Sequence, residues 1–360
     1  MQAAVCRAFK SPLVIEDISL APPEAGEIRV RIKACAICHS DLIYANGAWG
    51  DEPPLVFGHE AAGVVEEIGA GVDHVGIGDH VVVTLIRACG RCRCCDKGYY
   101  GSCETQAPIA SRVTLRDSDG EPVNVGIHVG AFAEEVTVVA SQAVAIDKDV
   151  PFASASLLGC GIITGLGAVT HTAKVPVGAS VVVIGCGGVG LSAVQGARLC
   201  SADPIVAVDI HEAKLDDAKN FGAHFGVNAN GDDFVDQILN LTDGRGADYV
   251  FVTVGSIAAT NQAFSITAPG GDVVVVGMAG FGEMAQFEQI TVADLSQRVL
   301  GSKMGHMNIH EEIPKLISLY KRGELLLDEM VSGTFPLGDI NTAIAEVESG
   351  SVRRNVVVFD

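Results

Sequence analysis

Between residues 180 and 276, four short valine-rich runs alternate with helical patterns, and this alternation restricts the fold more than any other feature of the chain. The runs are 180–184, 205–209, 249–253 and 272–276, and the helical patterns are 190–199, 212–221 and 233–241. Runs with no polar alternation have to be buried on both faces. A sheet with helices packed on each side meets that demand, so a parallel, doubly wound α/β sheet is expected.

The first run leads into Gly185-Cys186-Gly187-Gly188-Val189-Gly190, which then opens a helix. In such a G-x-G-x-x-G turn the first glycine permits the bend and the second admits a pyrophosphate against the backbone. The third lets the helix close on the strand. The free N–H groups and positive dipole end of the helix then favour phosphate. Gly188 and Val189 belong to this expected dinucleotide site, together with Val254 and Gly277 beyond the third and fourth runs. Asp209 ends the second run, 19 residues after Gly190, where a carboxylate accepts the adenosine ribose hydroxyls. It also repels the additional phosphate of NADP, so NAD is the expected cofactor. Lys214 stands where it can reach the same ribose, with an ordinary surface-helix lysine as the plain alternative.

The first 160 residues have a different rhythm of short strand signals, at 27–33, 61–68, 79–83 and 132–138. Residues 114–123 read as a hairpin with Asp119-Gly120 near its turn. After 305 come an amphipathic helix at 313–322, with Pro314 in its first turn, and a closing strand at 355–359. That tail is too small for its own core. Two domains are therefore expected, one from 1–160 with 305–360 and one from 161–304.

Five of the eleven cysteines crowd into 89–103. Cys89, Cys92, Cys95 and Cys103 form a C-x2-C-x2-C-x7-C series, which suits a closed four-thiolate zinc site with a structural role. Cys94 is extra and could exchange with Cys95, although the two-residue spacing favours Cys95. Cys38, His59 and Cys160 lie far apart in sequence. Two cysteines, a histidine and an open fourth position make a catalytic zinc site. Spacing alone leaves a second reading open, in which the cysteines are small core side chains and His59 is a satisfied core histidine.

The 44 acidic residues against 24 Lys and Arg give a formal charge of -20. Such a surface repels nucleic acid and anionic lipid. No apolar run is long enough for a membrane span, and the first ten residues lack the apolar core of an export signal. A cytoplasmic protein without nucleic-acid or membrane partners is expected.

Four motifs stand in the order and spacing of the zinc-containing alcohol dehydrogenases, which the chain resembles over essentially its whole length. They are Gly58-His59-Glu60-Ala61-Ala62-Gly63-Val64-Val65, the four-cysteine lobe, Leu158-Gly159-Cys160-Gly161 and the glycine turn through Leu191. Arg87-Ala88-Cys89-Gly90-Arg91-Cys92 and Thr114-Leu115 resemble the branch of class III-like, thiol-adduct formaldehyde dehydrogenases and bacterial aryl or alkyl alcohol dehydrogenases.

The resemblance implies a GroES-like, mostly β catalytic domain and a Rossmann domain. It implies Cys38, His59 and Cys160 as catalytic zinc ligands, and Glu60 beside the metal and able to exchange onto it. Asp41 would bind the ring N–H of His59. Ser40 would be the first proton relay. His39 and Arg354 would touch the cofactor pyrophosphate, with Arg353 as a rival, and Thr164 would line the nicotinamide. Trp49, Leu85 and Ile162 would wall an apolar substrate pocket. Arg87 could meet an anionic substrate, although a solvated arginine is the plainer reading. Ile43 stands where many members carry a relay histidine.

The expected activity is zinc-dependent hydride transfer between a primary aliphatic or aromatic alcohol and NAD. The alternatives are a thiol-dependent S-hydroxymethyl adduct dehydrogenase and a non-enzymatic zinc-stabilised binding protein. An NADPH quinone reductase would lack the seven zinc ligands. A homodimer is expected from the resemblance, with a homotetramer as the alternative.

Overall fold

The valine-rich runs pair as a parallel sheet because each is apolar on both faces: all residues of Val181–Ile184 and Ile205–Asp209 are buried. Six strands lie side by side in the order Phe225–Asn228, Ile205–Asp209, Val181–Ile184, Ala247–Val252, Thr267–Val275 and Arg298–Gly301. Every neighbouring pair is parallel. Numbered along the chain, this order is third, second, first, fourth, fifth, sixth. It therefore reverses between Val181–Ile184 and Ala247–Val252, and in open sheets of this kind ligands bind at the carboxyl ends of the strands at such a reversal. The two outermost strands are partly exposed and lack an unbroken apolar run, so the sequence pattern does not mark them. The first connecting helix, Gly188–Leu199, starts two residues earlier than its periodicity suggests.

The structure is a computed structural model that describes residues 1–50 and 52–360. It forms two compact units, Met1–Gly161 with Asn308–Asp360, and Ile162–Met307. The parallel sheet belongs to the second.

The first unit is mostly β. Glu27–Ala36 is its central strand and pairs antiparallel with Glu60–Ile68, Glu135–Val139 and Arg354–Val358. Its alternate residues Ile28, Val30 and Ile32 are fully buried. The strand Arg354–Val358 docks through Val356 opposite Ala36, which ties the end of the chain to its beginning. Leu115 pairs with Val123, so the expected hairpin forms. Sequence periodicity missed the helix Phe152–Ser156, whose five residues are too few to show a stripe.

One expectation is corrected. The helix foreseen at 313–322 is Ile309–Lys321, so Pro314 is its sixth residue rather than part of its first turn. Proline has no N–H for the carbonyl four residues back. The helix persists because Ile309, Ile313, Leu316 and Ile317 bury one face, and tertiary packing outweighs the missing bond. No single helix among the described residues is long and apolar enough to cross a membrane.

Candidate active site

In the first unit, three segments carry Cys38, His59 with Glu60, and Cys160 into one buried cluster. Cys38 precedes the helix His39–Ala45, His59 immediately precedes the strand Glu60–Ile68, and Cys160 follows a helical turn ending at Gly159. Their ligand atoms, with a Glu60 oxygen, all lie within 4.8 Å of one another. A tetrahedral zinc with sulfur ligands needs ligand–ligand separations of about 3.8 Å, so the cluster is compact enough to hold one. None of the four residues is more than 7% exposed.

Two unsatisfied atoms test whether a metal fits. His59 Nε2 and Glu60 Oε2 are buried and have no hydrogen-bond partner. Buried polar atoms rarely stay unpaired, and both are metal-ligand atoms. His59 Nδ1 lies 3.0 Å from Asp41 Oδ1, which fixes the proton on Nδ1 and leaves the Nε2 lone pair for a cation. Asp41 also accepts from the backbone N–H of Cys38 at 3.0 Å and of Gly58 at 3.1 Å, so one carboxylate orients two ligand-bearing segments. The bond between the two thiols holds Cys38 well below the ordinary thiol range and Cys160 well above it. Burial pushes the Glu60 carboxyl up to about 8, against the pull of Arg354.

The second cluster is local. Cys89, Cys92, Cys95 and Cys103 also bring their sulfurs within 4.8 Å of one another, and Cys94 is not among them. The Cys92 and Cys103 sulfurs are 3.9 Å apart, and Thr105 Oγ1 donates to Cys89 Sγ at 3.2 Å. That bond is the main reason the Cys89 thiol is lowered to about 6. The sequence argument missed Thr105, although its place two residues after a ligand was a usable signal. Four sulfurs with no nitrogen or oxygen suit zinc in a closed, structural role.

In the second unit the glycine turn has the geometry that a dinucleotide demands. Gly185 has φ of 94°, and a Cβ there would stand 2.3 Å from Val254 Cγ1. A Cβ on Gly190 would stand 1.7 Å from the Gly185 carbonyl oxygen. A Cβ on Gly277 would meet the Val254 backbone at 2.3 Å, so Gly185, Val254 and Gly277 converge where the strand order reverses. The Asp209 carboxylate is held by the backbone N–H of Cys186 at 2.8 Å and of His211 at 3.0 Å. It thus ties the glycine turn to the second strand.

Residues 24–148 match the alcohol dehydrogenase GroES-like domain, and residues 188–322 match the zinc-binding dehydrogenase family. Over 368 residues the chain is 38% identical to a protein of Schizosaccharomyces pombe named "Probable S-(hydroxymethyl)glutathione dehydrogenase 1", covering 99% of this chain and 96% of that one. It belongs to the zinc-binding alcohol dehydrogenase family. The dehydrogenase is also 36% identical to an alcohol dehydrogenase class-3 of Drosophila melanogaster, over 99% of this chain and 97% of the relative. It superposes on benzyl alcohol dehydrogenase from Acinetobacter calcoaceticus with a TM-score of 0.93 at 31% identity, covering 100% and 99% of the two chains. The protein is thus an NAD(P)-linked zinc oxidoreductase of alcohol- or aldehyde-like substrates, near the class III branch, with a GroES-like domain and a Rossmann domain.

The remaining expected residues of the dehydrogenase occupy varied settings. Arg354 is 5% exposed, forms an ion pair with Glu60 and donates to the Ile37 carbonyl at 3.2 Å. No sequence signal pointed to this pair, because its members are 294 residues apart. Arg353 donates to the Glu329 carbonyl at 2.9 Å. Ser40 is half-buried and His39 is exposed at the start of their helix. Thr164 donates to Met304 Sδ at 3.6 Å, and Lys214 is half-buried on the helix Glu212–Phe221. Trp49 packs edge-on against Tyr44, Leu85 is half-buried, and Ile162 is 1% exposed.

Proposed function

We propose that this dehydrogenase oxidises the hydroxymethyl group of a primary alcohol with NAD, and that S-hydroxymethyl adducts of small thiols are its first substrate class. The observation that carries the proposal is the buried Cys38, His59 and Cys160 cluster, in a chain whose relatives include an S-(hydroxymethyl)glutathione dehydrogenase. The ion pair between Glu60 and Arg354 supports a three-ligand site with an exchangeable fourth place, because one Glu60 oxygen is already held by a cation. A second reading, an aryl primary alcohol, is supported by the likeness to benzyl alcohol dehydrogenase. In both cases the reacting carbon is a hydroxymethyl group, on sulfur in one and on an aromatic ring in the other.

Zinc, when bound, makes an alcohol oxygen easier to deprotonate, and NAD accepts the hydride. The chain's own residues do the positioning. Asp41 orients His59 and the loop bearing Cys38. The Ser40 hydroxyl can accept a proton and donate one, which suits it to take the alcohol proton. Ile43 cannot continue a relay, so transfer beyond Ser40 falls to water or the cofactor ribose. His39 and Arg354 are assigned to the cofactor pyrophosphate, Thr164 to the nicotinamide, and Trp49, Leu85 and Ile162 to the substrate pocket. Asp209 favours NAD over NADP, and Lys214 is assigned to the same ribose.

A cytoplasmic setting is supported by the six cysteines of the two metal clusters, because thiols kept for zinc need a reducing compartment. A homodimer through the second unit is supported by Phe281, Met284 and Ile290, which are 88%, 77% and 72% exposed, and by the open edge strand Arg298–Gly301 that follows them in the chain.

The test is NADH formation by zinc-replete protein supplied with formaldehyde, with and without glutathione or mycothiol, and with benzyl alcohol. Activity with an adduct or with benzyl alcohol, lost in Cys38→Ser and Ser40→Ala, is expected. No turnover of any of these substrates would remove the proposal.

A further inference from the structure

A glycine in a helix gives up stability that alanine would keep, so it needs a reason to be there. Gly161 opens the helix Gly161–Gly167 directly after Cys160. A Cβ on it would stand 2.1 Å from Arg354 Nη2, 2.9 Å from Cζ and 3.2 Å from Nε. These are its three nearest atoms, and all belong to one guanidinium. The missing side chain is therefore a seat for Arg354.

That guanidinium is not free to swing aside. Arg354 is 5% exposed, its Nη1 donates to the Ile37 carbonyl at 3.2 Å, and its Nη2 pairs with Glu60. Ile37 precedes Cys38, Glu60 follows His59 and Gly161 follows Cys160. One buried cation thus touches the chain neighbour of each of the three cluster residues. On the other side of Cys160, a Cβ on Gly159 would meet the Val83 carbonyl oxygen at 2.8 Å and Glu60 Cα at 2.9 Å. Two glycines bracket Cys160, one pressed on the Glu60 backbone and one on the cation that pairs with the Glu60 side chain.

Two cations compete for that side chain. One Glu60 oxygen pairs with Arg354, while Oε2 is buried without a partner. A Glu60 oxygen also lies within 4.8 Å of the ligand atoms of Cys38, His59 and Cys160. A fully buried carboxylate has to be paired, and here either the guanidinium or a zinc ion can do it.

We propose that Gly161 is a positioning residue. By leaving room for the Arg354 guanidinium it keeps Glu60 in an ion pair and off the zinc, so that the fourth metal position stays open to substrate. This deepens the zinc dehydrogenase function and rests on zinc in the Cys38, His59 and Cys160 cluster, whichever alcohol is oxidised.

The experiment measures zinc retained per chain under graded chelator, with the four-cysteine zinc as an internal reference. Gly161→Ala displaces the guanidinium, so Glu60 turns to the metal. The cluster zinc should then survive at least about tenfold more chelator than in the parent, the order by which partners of metal ligands shift affinity, while the four-cysteine zinc is unchanged. Turnover with benzyl alcohol or a thiol adduct should fall at the same time, because the open position is filled. Damage to the packing alone would loosen zinc, so tightening with lost turnover carries the sign that a structural role does not. Adding Glu60→Gln to Gly161→Ala should abolish the tightening, since an amide brings no charge to the metal. Unchanged or weaker zinc in Gly161→Ala, or tightening that persists without the Glu60 carboxylate, overturns the proposal. If Gly161→Ala does not fold, Gly161→Ala with Arg354→Met decides, because the atoms nearest the added Cβ are then gone. That protein should fold and hold the cluster zinc more tightly than the parent, and an unfolded chain or weaker zinc overturns the assignment. A parent that holds only the four-cysteine zinc would defeat the underlying metal site and the proposal with it. A parent that holds both zinc ions but oxidises none of the named alcohols would defeat only the substrate reading, and the chelator arms would still decide the role of Gly161.

Discussion

Asp41→Asn should loosen one zinc and leave the other in place. The Asp41 carboxylate is 2% exposed and accepts three bonds, from Cys38 N at 3.0 Å, Gly58 N at 3.1 Å and His59 Nδ1 at 3.0 Å. Asparagine keeps one oxygen and turns an NH2 donor toward whatever the other oxygen faced. If the NH2 faces Cys38, a buried N–H loses its acceptor at a cost of about 1–3 kcal/mol, and the other two bonds lose their charge assistance at about 1 kcal/mol each. If it replaces Oδ1, which holds both Gly58 N and His59 Nδ1, the Gly58 N–H loses its acceptor and the ring must accept on Nδ1 and carry its proton on Nε2, the atom a metal needs. Either way the loss is about 3–5 kcal/mol. A change of 1 kcal/mol moves the melting temperature of a unit this size by about 2–4 °C, so a drop of about 10 °C is expected. Zinc affinity at the Cys38, His59 and Cys160 cluster should fall about 10–100-fold. The assay is zinc retained per chain under graded chelator, alongside calorimetric melting. The variant should release one of two zinc ions at correspondingly lower chelator. Retention of both at the parental chelator level, with an unchanged melting temperature, would refute the role given to Asp41.

Gly190→Ala places a Cβ 1.7 Å from the Gly185 carbonyl oxygen, so NADH binding followed by fluorescence should be lost; parental affinity would contradict the tight turn. Thr105→Val removes the donor to Cys89 Sγ at 3.2 Å, and chelator should then strip the four-cysteine zinc several-fold faster without touching the other, as metal-release kinetics would report. Asp209→Gly combined with Ile210→Arg should shift the kcat/KM preference from NAD toward NADP by about tenfold or more, and an unchanged preference would show that Asp209 does not select the cofactor. His306 and His310 are both held below the ordinary histidine value, chiefly by desolvation and further by His171 and His74 respectively. With the folded pKa depressed, the unfolded chain takes up protons first. Their contribution is present above the ordinary histidine value of about 6.5 and is lost as pH falls below it. His310→Gln should flatten that acid limb in melting experiments, and an identical limb would assign it elsewhere.

How much of the site was legible depended on distance along the chain. The four-cysteine cluster could be written down from residues 89–103 because a short loop must close on its own metal. Cys95 rather than Cys94 followed from the same spacing. Cys38, His59 and Cys160 were individually ambiguous, and only resemblance to a family joined them before the strands and turns carrying them were seen to converge. The helix Ile309–Lys321 was foreshortened because Pro314 is a local stop signal, which burial on one face overrides.

The sequence by itself determined the parallel sheet and the glycine turn, since unbroken valine runs and a G-x-G-x-x-G bend are demands each segment makes alone. Tertiary structure decided the rest. It paired Arg354 with Glu60, made Asp41 a hub for two ligand segments, and left Arg87 half-buried against neutral acceptors. Those outcomes depend on which side chains share a low-dielectric space, and residues hundreds of positions apart enter that space only when the strands pair.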